Sequence, residues 1–148
     1  MTDIAFHFNA PDKLAYACRL LRKAVASGAR VVVTGEGATL QALDTLLWTF
    51  SALEFLPHCR AGSPPEQLAE SPVVLAAQIE DGTVLPHHQV LLNVGERIPA
   101  GFERFERVIE VVTLSEQDRQ NARQRWKSYT DSGYSITRHD LKLKDTPA

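Results

Sequence analysis

The chain is poor in the residues that define metal, redox and membrane proteins. Of its 148 residues only two are cysteines, Cys18 and Cys59, and their separation is not that of metal ligands. No apolar run reaches the length of a membrane span, and the first ten residues, "MTDIAFHFNA", lack the basic and apolar segments of a signal peptide. We therefore expect no metal site, no contact with a membrane, and a cytoplasmic location in which both thiols stay reduced.

The chain also lacks a charge excess of either sign. Its 16 basic and 18 acidic residues give a net charge of −2, and its pI is about 6.2. A surface built to hold nucleic acid is usually strongly basic, so the chain as a whole does not fit that class. Any affinity for anions must be confined to one region.

Catalytic motifs are missing too. There is no Gly-x-Ser-x-Gly elbow and no His-Glu-x-x-His pair. The turn "TGEGATL" contains Gly35 and Gly37, but it lacks the third glycine of a dinucleotide site and the Lys-Ser/Thr of a phosphate loop. Glycines that serve a tight strand-to-helix turn are the favoured interpretation. The alternative is a nucleotide- or phosphate-binding Rossmann-like enzyme that uses the Gly35–Gly37 turn. Apart from it, we expect no catalytic residues and no cofactor.

What the sequence does contain is a regular alternation of buried strands with helices. Apolar β-branched runs predict five strands, at 4–8, 29–35, 73–79, 89–95 and 107–114. Helical periodicity predicts helices at 12–28, 38–50 and 115–131. This alternation predicts an α/β fold: a single three-layer domain over 1–143, with a largely parallel, Rossmann-like sheet and helices on both faces. Residues 144–148 are expected to form a frayed tail.

The second predicted helix carries one aromatic residue more than its core face needs. The core arc is formed by leucines and a phenylalanine: Leu40, Leu43, Leu46, Leu47, Phe50 and Leu53. Trp48 lies on the other side, and Phe55, Leu56 and Pro57 follow closely. Two interpretations remain open: Trp48 packs under a neighbouring loop, or it anchors a protein partner.

The third helix contains "RQNARQRWKSY" (119–129), four cations without a carboxylate. Arg119, Arg123 and Lys127 recur every four residues and share an arc with Trp126, whereas Arg125 points elsewhere. Like charges at this spacing weaken a helix slightly, so the face is a candidate anion receptor. A plain solvated surface, a nucleic-acid contact and a dock for an acidic peptide all remain possible. Few cations around an aromatic notch favour a peptide that ends in a hydrophobic residue.

Three features resemble the chi subunit family of the bacterial DNA polymerase III holoenzyme. They are "ALDTLLWTFSALEFLPHCRAG" (42–62), "ARQRWKSYTDSGYSI" (122–136), and the overall frame, with "SGARVVV" (27–33) entering the second strand. Trp126 and Arg119 stand where the family pattern has Tyr and Lys. The resemblance implies an α/β accessory subunit of the clamp loader that has no nucleotide site and no catalytic activity.

The resemblance also implies partners and sites. The first partner is the acidic C-terminal tail of single-stranded DNA-binding protein, which ends in Pro-Phe; contact with DNA is then mainly indirect. Its binding residues would be Arg119, Arg123, Trp126, Lys127, Gly133 and Tyr134. The second partner is the psi subunit of the clamp loader, and in the family the same region also serves a helicase-like repair protein. That surface would comprise Trp48, Phe55, Leu56, Pro57 and His58.

Overall fold

In the part of the chain that the structure describes, seven strands pair in parallel to form one sheet, in the order β3-β4-β2-β5-β6-β1-β7. The computed structural model describes residues 2–49, 57–77 and 85–141. The strands are β1 (Asp3–Ala10), β2 (Val31–Thr34), β3 (His58–Arg60), β4 (Val73–Leu75), β5 (Val90–Asn93), β6 (Arg107–Thr113) and β7 (Ile136–Asp140). The first strand therefore lies between the last two, next to one edge of the sheet.

Within the described residues, four α-helices cover the two faces of this sheet. They are α1 (Lys13–Ala26), α2 (Gly37–Thr49), α3 (Pro65–Glu70) and α4 (Glu116–Asp131), with a 3-10 turn at Phe102–Arg104. Buried side chains of α1 and α2 belong to one core cluster. Those of α3 and α4 belong to a second cluster on the opposite face. The chain thus forms the three-layer α/β fold that its alternating pattern predicts.

Strand β2 shows why the central strands are uninterrupted apolar runs. Val31 and Val33 pack in the cluster with α1 and α2, whereas Val32 packs in the cluster with α3 and α4. Successive strand residues face opposite sides of a sheet, so a strand covered on both sides needs apolar residues at every position.

Helix α1 follows the sequence pattern closely. The Asp12 carboxylate accepts the Ala15 N–H at 3.0 Å as an N-cap. Gly28 follows the C-cap residue Ser27 with φ +88°, a conformation that favours glycine. Cys18 is buried on the apolar face, and burial raises the pKa of its thiol to about 11. Its thiol is therefore inert at neutral pH.

The structure differs from the prediction at three places. Strands β3 and β7 were not predicted, and Leu46 is more exposed than expected. Strand β3 has three residues, and the β7 sequence "ITRHD" has none of the continuous apolar character of a buried strand, since β7 lies at an edge. Leu46, predicted in the core arc of α2, is 37% exposed. The predicted tail 144–148 lies outside the described residues. Within the described ranges, no helix is both long and apolar enough to cross a membrane.

Candidate functional site

Helix α4 is fixed at its first turn by an aspartate that contacts three groups. The Asp118 carboxylate accepts the backbone N–H of Thr113 at 2.7 Å and its hydroxyl at 3.0 Å. Lys13, at the start of α1, approaches the same carboxylate at 3.0 Å. Partial burial raises the pKa of the Asp118 carboxyl, but the Thr113 N–H and Lys13 outweigh it and hold the pKa below its ordinary value. Asp118 therefore joins α4 to both β6 and α1.

The inner side of α4 carries a buried polar network. The Arg125 Nε donates to Glu110 Oε1 at 3.0 Å, and the Tyr129 hydroxyl donates to Oε2 at 2.7 Å. Asn93 Nδ2 donates to Oε1 at 2.9 Å, and Arg125 Nη1 donates to the carbonyl of Glu96 at 2.8 Å. Glu110 is fully buried and Arg125 is 3% exposed. Glu110 accepts hydrogen bonds from Arg125, Tyr129 and Asn93, whereas the buried Arg125 Nη2 has no hydrogen-bond partner among the described residues. The bonds that are made let α4 lie on the sheet with a charge facing inward.

Burial dominates the ionisation of this network. It raises the pKa of the Glu110 carboxyl, against the opposing effect of the Arg125 guanidinium and the hydrogen bonds from Tyr129 and Asn93. Burial also raises the pKa of the Tyr129 hydroxyl, and the adjacent Glu110 carboxylate raises it further. Tyr129 is consequently a permanent hydrogen-bond donor at physiological pH.

The other side of α4 borders an open groove of about 440 Å³. It lies between α4 and the end of the sheet formed by β6, β1 and β7. Its lining residues are Phe6, Phe8, Val112, Arg119, Ala122, Arg123, Trp126 and Arg138. These described residues include three guanidinium groups and no carboxylate. The groove therefore combines an apolar floor with a cationic rim.

Aromatic contacts hold the floor of the groove. The half-buried Trp126 ring lies 5.1 Å from the ring of Phe6, centroid to centroid, and Phe6 in turn contacts Tyr129 at 6.1 Å. The Arg138 guanidinium carbon lies 5.3 Å from the centroid of the Phe8 ring and 5.8 Å from that of Trp126. The rings of β1 and α4 therefore form a continuous surface with a cation above it.

Among the described residues, the two arginines of α4 at the rim make only long polar contacts. Arg119 Nη2 lies 3.4 Å from Asn9 Oδ1, and Arg123 Nη1 lies 3.4 Å from Glu116 Oε1. The side chains of Arg123 and Glu116 are 67% and 64% exposed. An exposed pair of this kind contributes little to stability, so Arg123 can change partner at low cost.

Comparison with known proteins shows the family to which this chain belongs. The sequence profile of the DNA polymerase III chi subunit family, HolC, matches residues 1–137. This chain belongs to the chi subunit family. It is similar to DNA polymerase III subunit chi of Pseudomonas aeruginosa, at 34% identity over 130 residues and 87% of each chain. It is also similar to the subunit chi of Haemophilus influenzae, at 24% identity over 126 residues, 84% of this chain and 85% of the relative.

Three of the six residues that the chi resemblance predicts line the groove: Arg119, Arg123 and Trp126. Lys127 is exposed on α4 but does not line it. Gly133 follows the end of α4 with φ +85°, a conformation that favours glycine. Tyr134 is half-buried; its ring centroid lies 5.1 Å from that of Phe102, and it packs against the core cluster under α4. The structure therefore does not place these last three in the groove.

The groove also contains residues that the sequence analysis missed, among them Phe6, Phe8, Val112 and Arg138. The alternation in "FHF" was a usable signal, since it places Phe6 and Phe8 on the same face of β1. Arg138 had no such signal because strand β7 was not predicted. Glu110 could have been singled out, because a carboxylate inside the apolar run "RVIEVV" requires a buried partner.

The second predicted surface of this chi-family chain is only partly exposed. Trp48 is 59% exposed, and Pro57 is also exposed. His58 was predicted in the exposed patch, and this is wrong: its side chain is 1% exposed. His58 lies on β3 under α2, where its Nε2 is 2.7 Å from Asp44 Oδ1 and its ring is 5.2 Å from that of Trp48. Phe55 and Leu56 lie outside the described residues.

The turn that contains Gly35 and Gly37 packs closely at Gly35, against Val94 and Gly95 at the end of β5, and is open at Gly37. A side-chain carbon on Gly95 would lie 3.1 Å from the Gly35 Cα, so the ends of β2 and β5 need glycine to pass this closely. The Glu36 carboxylate accepts the Glu96 N–H at 3.3 Å. This hydrogen bond joins the residues that follow β2 to those that follow β5. The geometry favours the tight-turn interpretation over a nucleotide site.

Proposed function

We propose that this chain is a non-catalytic, cytoplasmic adaptor of the replicative DNA polymerase. One surface binds the acidic C-terminal tail of single-stranded DNA-binding protein. Another binds the psi subunit of the clamp loader. The chain would thereby link the clamp loader to coated single-stranded DNA, and its contact with DNA itself would be mainly indirect.

The observation that supports the tail site is the groove with its apolar floor and guanidinium rim. Its volume of about 440 Å³ lies within the range of roughly 300–1,000 Å³ typical of ligand sites. A terminal phenylalanine would lie against Phe6, Phe8 and Trp126, while carboxylates would meet Arg119 and Arg123. Charge-assisted bonds to guanidinium groups are the stronger class of hydrogen bond and suit carboxylates geometrically.

The expected affinity is moderate. A short peptide buries little area and loses much conformational freedom, so we expect micromolar binding, about −8 kcal/mol. Because the rim arginines are exposed to solvent, the affinity should fall as the salt concentration rises.

The test is a fluorescence anisotropy titration with a labelled acidic peptide that ends in Pro-Phe. Arg123→Ala should weaken binding about tenfold, since a charge-assisted bond contributes roughly 1.5–3 kcal/mol. Arg19→Ala is the matched control, because Arg19 is an exposed arginine on α1 across the sheet. A peptide with alanine in place of the terminal phenylalanine should bind far less tightly. Equal affinities of the wild-type protein and Arg123→Ala would contradict the proposed site.

Substitution of Lys127 tests whether the peptide binds in the groove or is attracted by the positive charge of α4 in general. Because Lys127 does not line the groove, Lys127→Ala should weaken peptide binding less than Arg123→Ala does. If the two substitutions have the same effect, the peptide is held by the charge of the helix rather than by the groove. Titration of a bare single-stranded oligonucleotide under the same conditions would measure any direct affinity for DNA.

The psi surface is proposed on the exposure of Trp48. A large aromatic that is 59% exposed is a frequent anchor of protein interfaces. Trp48→Ala should weaken binding of the purified psi subunit from the same organism in calorimetric titration, and leave peptide binding unchanged. Leu114→Ala, at a residue that is 47% exposed elsewhere, is the control. Unchanged psi affinity in Trp48→Ala would refute this surface.

A further inference from the structure

A third arginine, Arg138, faces the groove from the side opposite the α4 arginines. It lies on strand β7 at the edge of the sheet, while Arg119 and Arg123 lie on α4. All three line the same groove. The cationic rim therefore has two walls, and the wall formed by β7 has only this one cation.

The surroundings of Arg138 differ from those of the other two arginines. Its guanidinium lies over the rings of Phe8 and Trp126, at 5.3 and 5.8 Å from their centroids. In the described part of the chain no carboxylate pairs with it. Stacking on rings orients a guanidinium but leaves the N–H groups on its edge available for a bidentate carboxylate.

We propose that Arg138 recognises the free terminal carboxylate of the peptide that occupies the groove. This rests on the proposed function. The carboxylate of a terminal residue is separated from its side-chain ring by only two carbon atoms. A ring that lies on the aromatic floor brings its carboxylate within reach of the guanidinium stacked on that floor, which is Arg138. Arg119 and Arg123 then meet the acidic side chains that precede it.

The experiment is a double-mutant cycle between the protein and the peptide. The acidic peptide ending in Pro-Phe is prepared with a free C-terminal carboxylate and as the C-terminal amide. Both are titrated by anisotropy against the wild type and Arg138→Ala. We expect about a tenfold loss for Arg138→Ala with the free carboxylate, and less than a twofold loss with the amide.

Three further variants serve as controls. Arg123→Ala should weaken both peptides by the same factor, because its partners are the preceding carboxylates. Arg138→Lys keeps the charge without the planar fork, so it should recover part of the lost affinity for the free carboxylate. Arg107→Ala removes an exposed arginine at the start of β6 and should change neither titration.

The outcomes separate this inference from the proposed function. Equal losses on both peptides would show that Arg138 only supports the rings or meets side-chain carboxylates, which overturns the inference. No loss for Arg138→Ala, with Arg123→Ala still weakened, also overturns it and leaves the proposed function standing. If the wild type binds neither peptide, the proposed function fails as well.

Discussion

Arg123 and Arg125 stand two residues apart on helix α4 and lie in opposite environments. Arg125 is 3% exposed and pairs with the fully buried Glu110. Arg123 is 67% exposed on its side chain and meets Glu116 at 3.4 Å. A separation of two residues turns the helix by about 200°, which places one arginine against the sheet and the other at the groove. The basic stretch of α4 therefore contains one structural cation, Arg125, whereas the other cations are exposed.

The two arginines also differ in what their loss would cost. A buried charge whose partner is removed keeps its full desolvation penalty. An exposed pair exchanges its partner for water and loses almost nothing. The comparison therefore predicts that a substitution on the inner side of α4 lowers stability strongly, whereas a substitution on the outer side lowers peptide binding.

The largest effect is expected from Arg125→Ala. It should lower the free energy of unfolding by about 3–5 kcal/mol, because Glu110 stays buried without its counter-ion. Urea denaturation measures this value. A double variant, Glu110→Leu with Arg125→Met, should recover most of the loss, since replacing both charges leaves no unpaired one. If Arg125→Ala lowers the free energy of unfolding by less than about 1 kcal/mol, the inner and outer arginines of α4 do not differ in their contribution to stability.

Trp126→Ala tests the border between the two sides. Trp126 packs on Phe6 and also lines the groove, so one substitution should affect both properties. We expect a loss of about 2 kcal/mol in stability, below the 3–5 kcal/mol of a fully buried aromatic, and loss of measurable peptide binding. Trp126→Phe should restore most of the stability. Peptide binding that survives Trp126→Ala would place the ligand elsewhere.

A smaller effect is expected from Asp118→Asn, and it should depend on pH. The pKa of Asp118 in the folded chain is below its ordinary value of 3.8. Its charged form therefore stabilises the fold above pH 3.8, and this contribution is lost as the pH falls through the lowered pKa. At pH 7 the variant should be about 1 kcal/mol less stable, comparable to the loss of a helix cap. Urea denaturation at pH 7 and pH 3 should show the difference shrinking on acidification.

The smallest effect on stability is expected from Arg123→Ala. Its free energy of unfolding should stay within about 0.5 kcal/mol of the wild type, because its ion pair is exposed. The same variant is expected to bind peptide about tenfold less tightly. A stability loss comparable to that of Arg125→Ala would show that both arginines are structural.

The sequence predicted local features well and the pairing of distant ones poorly. The apolar face of α1 and the outward position of Trp48 follow from residue type and helical period. The divergence of Arg125 from the basic arc follows in the same way. The pairing of Arg125 with Glu110 cannot be predicted in this way, because the pattern of a strand does not indicate which helix will cover that strand.

The same limit applies to the groove. Its α4 wall follows from one stretch of sequence, whereas its floor and second wall come from β1 and β7. Phe8 and Arg138 lie 130 positions apart, and only the order of strands in the sheet brings them together. Periodicity within a segment carries no information about that order. Arg138 could be found only once β7 was placed.

The position of β1 between β6 and β7 has a consequence for the order of assembly. Asp3 pairs in register with Arg107, and Ile4 with Ile136. During translation the first strand leaves the ribosome long before either neighbour exists, so it must wait unpaired until nearly the whole domain has emerged. Contacts this distant in sequence slow folding. The groove is thus completed only after β7 has been synthesised, and a nascent chain interrupted before that point lacks the wall that carries Arg138.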